Sequence, residues 1–190
     1  KKMQYYRLIS EFMLQQTQVK TVIPYFNNFV KKIPNLKVLS KSNKRNVLKL
    51  WEGLGYYNRA KNLHKTSKIL IKKHNGKIPE NFEELKRLPG IGDYTANILL
   101  ALIYNQPRVA LDVNVKRVLF RLFNTDIEDA TNLFETKRNA DMAEALMEFG
   151  ALICKSQDPS CNQCEIKKMC KYYATETKIK IKRKMKIHLK

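Results

Sequence analysis

Four cysteines are the residues whose type and spacing most directly specify chemistry in this chain. Cys154, Cys161, Cys164 and Cys170 are the only cysteines among 190 residues, and they follow C-x6-C-x2-C-x5-C within 17 residues. Thiolates gathered this closely favour a single soft metal centre. A [4Fe–4S] cluster held by all four is the leading expectation. Structural zinc is the second reading; all-cysteine zinc sites usually carry two CxxC pairs, and only Cys161 and Cys164 make one here. Two disulfides would suit a small secreted domain, and no signal peptide is visible.

A second group lies at a glycine-bearing turn. Leu88-Pro89-Gly90-Ile91-Gly92 joins two apolar-periodic segments. Glycine at both positions is expected to permit positive φ and close approach of another backbone. Amides at the start of the following helix suit an oxyanion such as a phosphate. The pattern resembles the helix-hairpin-helix element, which grips a DNA backbone without reading sequence; an ordinary turn between helices is the plainer alternative. Asp93 is placed to N-cap the helix that follows. Asp112 comes after the extended stretch Arg108-Val109-Ala110-Leu111 and opens another helix, with Asn114 close by. By itself it reads as an N-cap, and Glu11 by itself reads as a solvent-facing helix carboxylate.

The elements that must position these residues are helical. Leu8, Ile9, Phe12, Met13, Val19 and Ile23 recur at three- and four-residue steps up to Pro24, which is expected to end that run. Val47, Leu48, Leu50 and Trp51 form a short patch ending at Gly53, and Ala60 to Ile71 marks a helix closed by Asn75-Gly76. Thr95 to Tyr104 is apolar on nearly every face, which predicts a buried central helix stopped by Pro107. Val115, Val118, Leu119, Leu122 and Phe123 form the next stripe, and Met142 to Ile153 another. Strand signals are sparse, so the fold class is all-α. The exception is the basic tail, where Ile179, Ile181, Met185, Ile187 and Leu189 show strand periodicity. The expected division is residues 1–107 with the hairpin at 88–92, residues 108–173 ending in the cysteine loop, and a tail or linker over 174–190.

Charge narrows the partner. There are 37 Lys+Arg against 17 Asp+Glu, a net charge of +20. That balance points to nucleic acid first and an anionic membrane second. A lysine-rich proteome explains part of the excess, not an imbalance above two to one. The 44% hydrophobic content excludes a disordered chain. No apolar run reaches the roughly 18 residues of a membrane span, and no cationic amphipathic helix dominates. The chain opens Lys1-Lys2 and is expected to be a fragment of a longer protein.

Hairpin, apolar helix, Pro107, then Asp112 is the order seen in the helix-hairpin-helix DNA glycosylases, with LPGIGDYTA and ALDVNVKRVL as the local text. The cysteine spacing resembles their [4Fe–4S] branch, which includes endonuclease III. Within it, Ser10-Glu11-Phe12-Met13-Leu14-Gln15-Gln16-Thr17-Gln18-Val19 resembles the MutY adenine DNA glycosylases. So do Trp51-Glu52-Gly53-Leu54-Gly55-Tyr56-Tyr57 and Arg59-Ala60-Lys61-Asn62-Leu63-His64, and the likeness runs from about Tyr6 to Cys170.

The resemblance implies two helical lobes, a helix-hairpin-helix barrel and a cluster lobe, with the active-site cleft between them. It implies a monomeric base-excision-repair enzyme of the bacterial cytoplasm, associated with the nucleoid. The substrate it implies is double-stranded DNA, from which adenine mispaired with 8-oxoguanine or guanine is removed by hydrolysis of the N-glycosidic bond. Glu11 is then the general acid that protonates adenine, its pKa raised by burial beside apolar walls such as Phe12 and Leu14. Asp112 stays ionised at its helix N-terminus and stabilises or traps the sugar cation, which parallels the paired carboxylates of sugar hydrolases. Tyr94 stands where strand-cutting relatives carry a nucleophilic lysine. It cannot form a Schiff base, so the reaction is monofunctional, with Tyr94 lining the site beside Asn114. Gln16 and Tyr56 are the intercalating residues when the target base is flipped. By the same resemblance Leu54 and Thr17 lie near the orphaned base, Gly90 and Gly92 grip the DNA backbone, and Tyr57 packs inside. Lys155, Lys167 and Lys168 of the cysteine loop face phosphates, and the cluster is structural.

The chain departs from this family in three respects. Its chains usually show a Pro-Trp-Arg segment ahead of this region and a Nudix-like domain after it, neither of which is found in these residues. The usual Asp-Gly-Asn reads Asp112-Val113-Asn114, and β-branched valine disfavours positive φ, so a change of local geometry is expected. A glycosylase for thymine in T·G mismatches shares the tyrosine, and one for oxidised pyrimidines is a further alternative. A non-catalytic iron–sulfur DNA-binding module, with Glu11 and Asp112 as surface or capping residues, is the alternative of a different class. Gln15-Gln16-Thr17 and Gly53-Leu54-Gly55-Tyr56-Tyr57 favour adenine.

Overall fold

The computed structural model describes residues 2–128, 133 and 135–175, and among these every regular element is a helix. The strand expected over the basic tail falls at 176–190, outside the described residues. The chain divides into two compact units, Lys1–Gln106 and Pro107–Lys190. No helix of the described residues is long and apolar enough to cross a membrane.

The first unit contains α1 (Lys2–Leu14), α2 (Val19–Lys32), α3 (Leu36–Lys41), α4 (Lys44–Leu50), α5 (Asn58–Lys73), α6 (Phe82–Lys86) and α7 (Asp93–Tyr104). Three short helices start the same way: the side chains of Asn35, Asn43 and Asn81 accept from Val38, Arg45 and Glu84 amides. A cap of this kind is worth about 1 kcal/mol, enough to matter in helices of five to seven residues. The core is built on Leu8, Phe12, Trp51, Leu63, Leu70 and Leu99. Helix α1 packs on α2, α5 and α7. Helix α7 is buried as its all-round apolar sequence predicts, and it ends at Asn105 in the left-handed region two residues before Pro107. The second unit contains α8 (Val113–Phe123) and α9 (Asn139–Leu152). Val115, Val118 and Leu119 of one pack with Leu146 of the other.

Two boundaries differ from the sequence reading. The first apolar run breaks after Leu14, and Pro24 lies inside α2. Proline removes one amide bond from a helix, but here it lies on the exposed face, where water can satisfy the freed carbonyl. Asp93 does not cap α7; Gly92 is the N-cap and Asp93 is the first helical residue. There its charge still suits the helix N-terminus, and it pairs with Lys86 at 2.7 Å.

The hairpin between α6 and α7 is locked by its neighbours. Gly90 has φ +82, and a Cβ added there would lie 2.8 Å from Phe12 Cε1 and from Asn62 Cβ. Thr66 Oγ1 donates to the Pro89 carbonyl at 2.9 Å, and Gln15 Nε2 donates to the Gly90 carbonyl at 3.1 Å. The expectation of constraint at both glycines is met only at Gly90. Gly92 has φ −97, which any residue adopts, and nothing lies within 4 Å of where its Cβ would be.

Thermal unfolding separates the two positions. Gly90→Ala is expected to cost about 2–4 kcal/mol, from backbone strain plus overpacking against Phe12 and Asn62. Gly92→Ala should cost no more than about 1 kcal/mol, the poorer N-cap being its only penalty in open space at an ordinary φ.

A second prediction concerns His64 of α5, which is buried. Burial pushes its pKa below 6.5, and Lys68 and Lys44 push the same way against a backbone hydrogen bond at Ser42. The folded state holds it neutral, while the unfolded chain takes up a proton near 6.5. Its stability contribution is therefore intact above that pH and is lost as the pH falls below it. Denaturant unfolding between about pH 7 and pH 5 should show this loss, and His64→Gln should flatten the slope.

Candidate active site

Glu11 lies on α1 and is 8% exposed, beside Phe12 and Met13, which are fully buried. It does not face solvent, as its bare sequence reading would have it. Phe12 is the residue that Gly90 approaches, so the backbone carrying Glu11 is fixed directly against the hairpin. Tyr94 is the second residue of α7 and is exposed. Next to it, buried Thr95 receives a second bond from Gln15 Nε2 at 3.3 Å.

Two loops of the first unit carry the residues expected to wedge into DNA. Gln16 follows α1, is exposed, and has φ +56. Tyr56 precedes α5, is 60% exposed, and has φ +47. Both are non-glycine residues in the left-handed region, which is uncommon. Arg59, only 7% exposed, joins the loops that bear them. Its Nη1 donates to the carbonyls of Met13 (2.6 Å) and Gln15, and its Nη2 to those of Leu54 and Gly55, each at 3.3 Å. Its guanidinium lies 5.2 Å from the Tyr56 ring centre and 5.6 Å from that of Trp51. Burial pushes its pKa below the usual value, and Tyr56 opposes the shift.

Thr17 is half-buried, its hydroxyl directed at the Gln15 carbonyl (3.4 Å). Leu54 and Tyr57 depart from the sequence reading. Leu54 is 5% exposed in the hydrophobic core, so its side chain faces protein, whereas Tyr57, expected to pack inside, is exposed.

In the second unit Asp112 is the N-cap of α8, its carboxylate accepting from the Val115 amide at 2.7 Å. Val113 begins the helix, is 80% exposed, and is not among the positive-φ residues. A β-branched side chain therefore fits there without backbone strain. Asn114 Oδ1 accepts from Arg117 Nη2 at 3.0 Å. The same arginine donates to the carbonyls of Gly150 (2.7 Å) and Cys154 (2.9 Å). Close packing explains Gly150, where a Cβ would lie 2.9 Å from that of Asn114.

The four cysteines are free thiols and line one cavity, with Val118, Leu122, Phe149 and Ile153 among its apolar walls. Short turns carry the loop around it: Cys164 N bonds Cys161 O, Lys167 N bonds Cys164 O, and Cys170 N bonds Lys167 O, each at 3.2 Å. Arg121 donates to the carbonyls of Lys155 (2.6 Å) and Ser156 (3.0 Å) and lies 3.4 Å from Cys154 Sγ. Burial pushes the Cys161 thiol up, as do the other three thiols, while Arg121 pulls it down. Among the described residues no three His, Cys, Asp or Glu side chains close on one point as a single metal ion would require. Lys155 and Lys168 are exposed, whereas Lys167 turns back to donate to the Asn162 carbonyl at 2.9 Å.

Arg59, Arg117 and Arg121 were not singled out from the sequence. Arg117 and Arg121 lie four apart on α8, hence on one helical face, and that spacing was the available signal. Arg59 stands in the family-like stretch Arg59 to His64, but its role is not legible there, because its partners include carbonyls 44 and more residues away.

Comparison with known proteins places the chain. It is 45% identical over 186 residues to an adenine DNA glycosylase of Buchnera aphidicola subsp. Baizongia pistaciae, covering 91% of this chain and 52% of the relative. An adenine DNA glycosylase of Schizosaccharomyces pombe is 37% identical over 187 residues, covering 91% and 41%. The chain spans about half the length of the curated relatives it matches. Among solved structures, a thermostable thymine-DNA glycosylase superposes with a TM-score of 0.82 at 28% identity, covering 90% of this chain and 85% of that one. A non-covalent endonuclease III–DNA complex gives 0.75 at 25% identity, covering 90% and 85%. Residues 9–141 match the family described as HhH-GPD superfamily base excision DNA repair protein, and the chain belongs to that family.

Proposed function

We propose that this chain is a monofunctional, monomeric adenine DNA glycosylase of the bacterial cytoplasm. It hydrolyses the N-glycosidic bond of adenine mispaired with 8-oxoguanine or guanine in duplex DNA. The observation that carries the reading is the burial of Glu11 beside the core residues Phe12 and Met13 of α1. Burial favours the neutral form of a carboxyl, and a general acid must hold its proton until the base departs. Asp112 has different surroundings: it is half-buried and caps a helix, accepting from the Val115 amide. It is suited to stabilise or trap a sugar cation, and Asn114 and Tyr94 are assigned to the same reaction. The adenine assignment is supported by the names of the sequence relatives.

The remaining residues handle the DNA. Exposed Gln16 and Tyr56 enter the stack, Thr17 lies near the orphaned base, and Gly90 and Gly92 grip a phosphate backbone. The open space at Gly92 supports this, since the fold itself does not require glycine there. Leu54, buried as it is, serves by packing and through its backbone.

The four thiols fit a [4Fe–4S] cluster better than zinc. Zinc needs its sulfurs about 2.3 Å from a single point, whereas a cluster takes one thiolate on each of four irons. Four thiols spaced C-x6-C-x2-C-x5-C and lining one cavity suit the second requirement. When bound, the cluster supplies a rigid anchor for the loop rather than bond cleavage. Arg121 and the turn amides hold the loop's shape, and Lys155 and Lys168 face the phosphates.

Single-turnover incubation with duplexes bearing A·8-oxoguanine, A·G, T·G and thymine glycol, followed by alkali, tests the activity. Breaks only after alkali and only on adenine strands are expected; loss of thymine would replace adenine by the reading that similarity to a thymine-DNA glycosylase favours. Glu11→Gln should lower excision by about 10²–10⁴-fold while duplex affinity is kept. Retained turnover in that variant would defeat the assigned acid. The purified holoprotein should absorb near about 400 nm and carry roughly four irons per chain without zinc.

A further inference from the structure

We infer that Arg59 is a positioning residue that makes the Gln16 loop and the Tyr56 loop act as a single wedge when a base is extruded. The inference deepens the excision reading and rests on it. The last-turn carbonyls of α1 need partners from outside the helix, and its own last turn has no basic residue. Arg59 supplies the missing cation from α5, donating to the Met13 and Gln15 carbonyls. The other nitrogen of the same planar group takes the Leu54 and Gly55 carbonyls of the second loop. One rigid fork thus fixes the distance between two chain segments that precede the exposed tips.

Both tips adopt conformations that persist only where their surroundings impose them. Gln16 sits just past a helix end, where the left-handed position normally falls to glycine. Tyr56 is left-handed next to Gly55 and lies against the guanidinium that bonds its neighbour's carbonyl. The Tyr56 ring is therefore held at its face by the same group that sets its backbone. Lysine cannot reproduce this arrangement, because an ammonium is a point donor without the planar fork.

The test uses Arg59→Lys in the full chain. Its probe is a duplex with 2-aminopurine on a 2′-fluoro sugar at the target position, whose fluorescence reports unstacking without cleavage. The variant should keep its helical circular dichroism and bind undamaged duplex within about twofold of the parent. Unstacking and excision should both fall by roughly tenfold or more, the loss expected for a charge-assisted hydrogen bond. A folded variant that unstacks the probe like the parent overturns the inference. So does one whose binding, unstacking and stability all fall together.

Should Arg59→Lys fail to fold, a cycle in the parent background decides. Gln16→Ala and Tyr56→Ala should be strongly non-additive in unstacking if the tips act together, and additivity overturns the coupling. A parent that unstacks the probe but excises no adenine defeats the excision reading and leaves the cycle to judge the coupling. One that does not unstack the probe overturns both.

Discussion

The contact between the hairpin and α1 at Gly90 is the constraint on which the first unit depends. A side chain there would collide with Phe12 and Asn62, so α1 and α5 approach the turn as closely as atoms allow. Phe12 adjoins Glu11, Asn62 belongs to the helix that carries Arg59, and the turn leads straight into α7 and Tyr94. Gln15 then spans the remaining gap, bonding the Gly90 carbonyl and the Thr95 hydroxyl. Three helices that are distant in sequence are thereby held to one point by sterics rather than by charge. On the proposed reading that matters for catalysis, because positioning tolerates little error and a close-packed contact has few alternative arrangements.

Loop carbonyls gathered by a buried or half-buried arginine recur in both units. Arg59 does this for the segments after α1 and before α5, and Arg121 for the start of the cysteine loop. Arg117 collects carbonyls at the end of α9 while also fixing Asn114. Irregular backbone near a core leaves acceptors that must be satisfied, and a guanidinium offers five donors in a fixed plane. Lysines greatly outnumber arginines among the basic residues of this chain, yet these three tasks fall to arginine. The division follows from geometry: lysine suits a solvated face toward a polyanion, arginine a fork of defined span.

What the sequence disclosed depended on whether a signal was local. The buried helix α7 was legible because ten consecutive positions are almost wholly apolar, and the α8 stripe because its period is helical. Asp112 as an N-cap was legible from a carboxylate at the junction of an extended stretch and a helix. The break after Leu14 was not, since it carries neither proline nor glycine and relies on Gln16 in an uncommon conformation. Pro24, the obvious punctuation, proved harmless on an exposed helical face. Leu54 and Tyr57 were exchanged for a similar reason. Within an irregular loop no periodicity tells inside from outside, and only the tertiary anchor at Arg59 decides which side chain turns inward.

Excision of a base asks two carboxyl groups to behave oppositely at one pH. A single environment cannot do this, so the physical question is what separates them. Glu11 is buried on the core-facing side of α1, away from the ends of that helix, where an anion would lose much of its water. Asp112 sits at a helix start, where an amide donates to it and the peptide dipoles point their positive end toward it. The two residues therefore occupy different surroundings: one is buried along a helix, the other caps a helix start. On the proposed reading, the order of the elements assigns the chemistry before any substrate arrives.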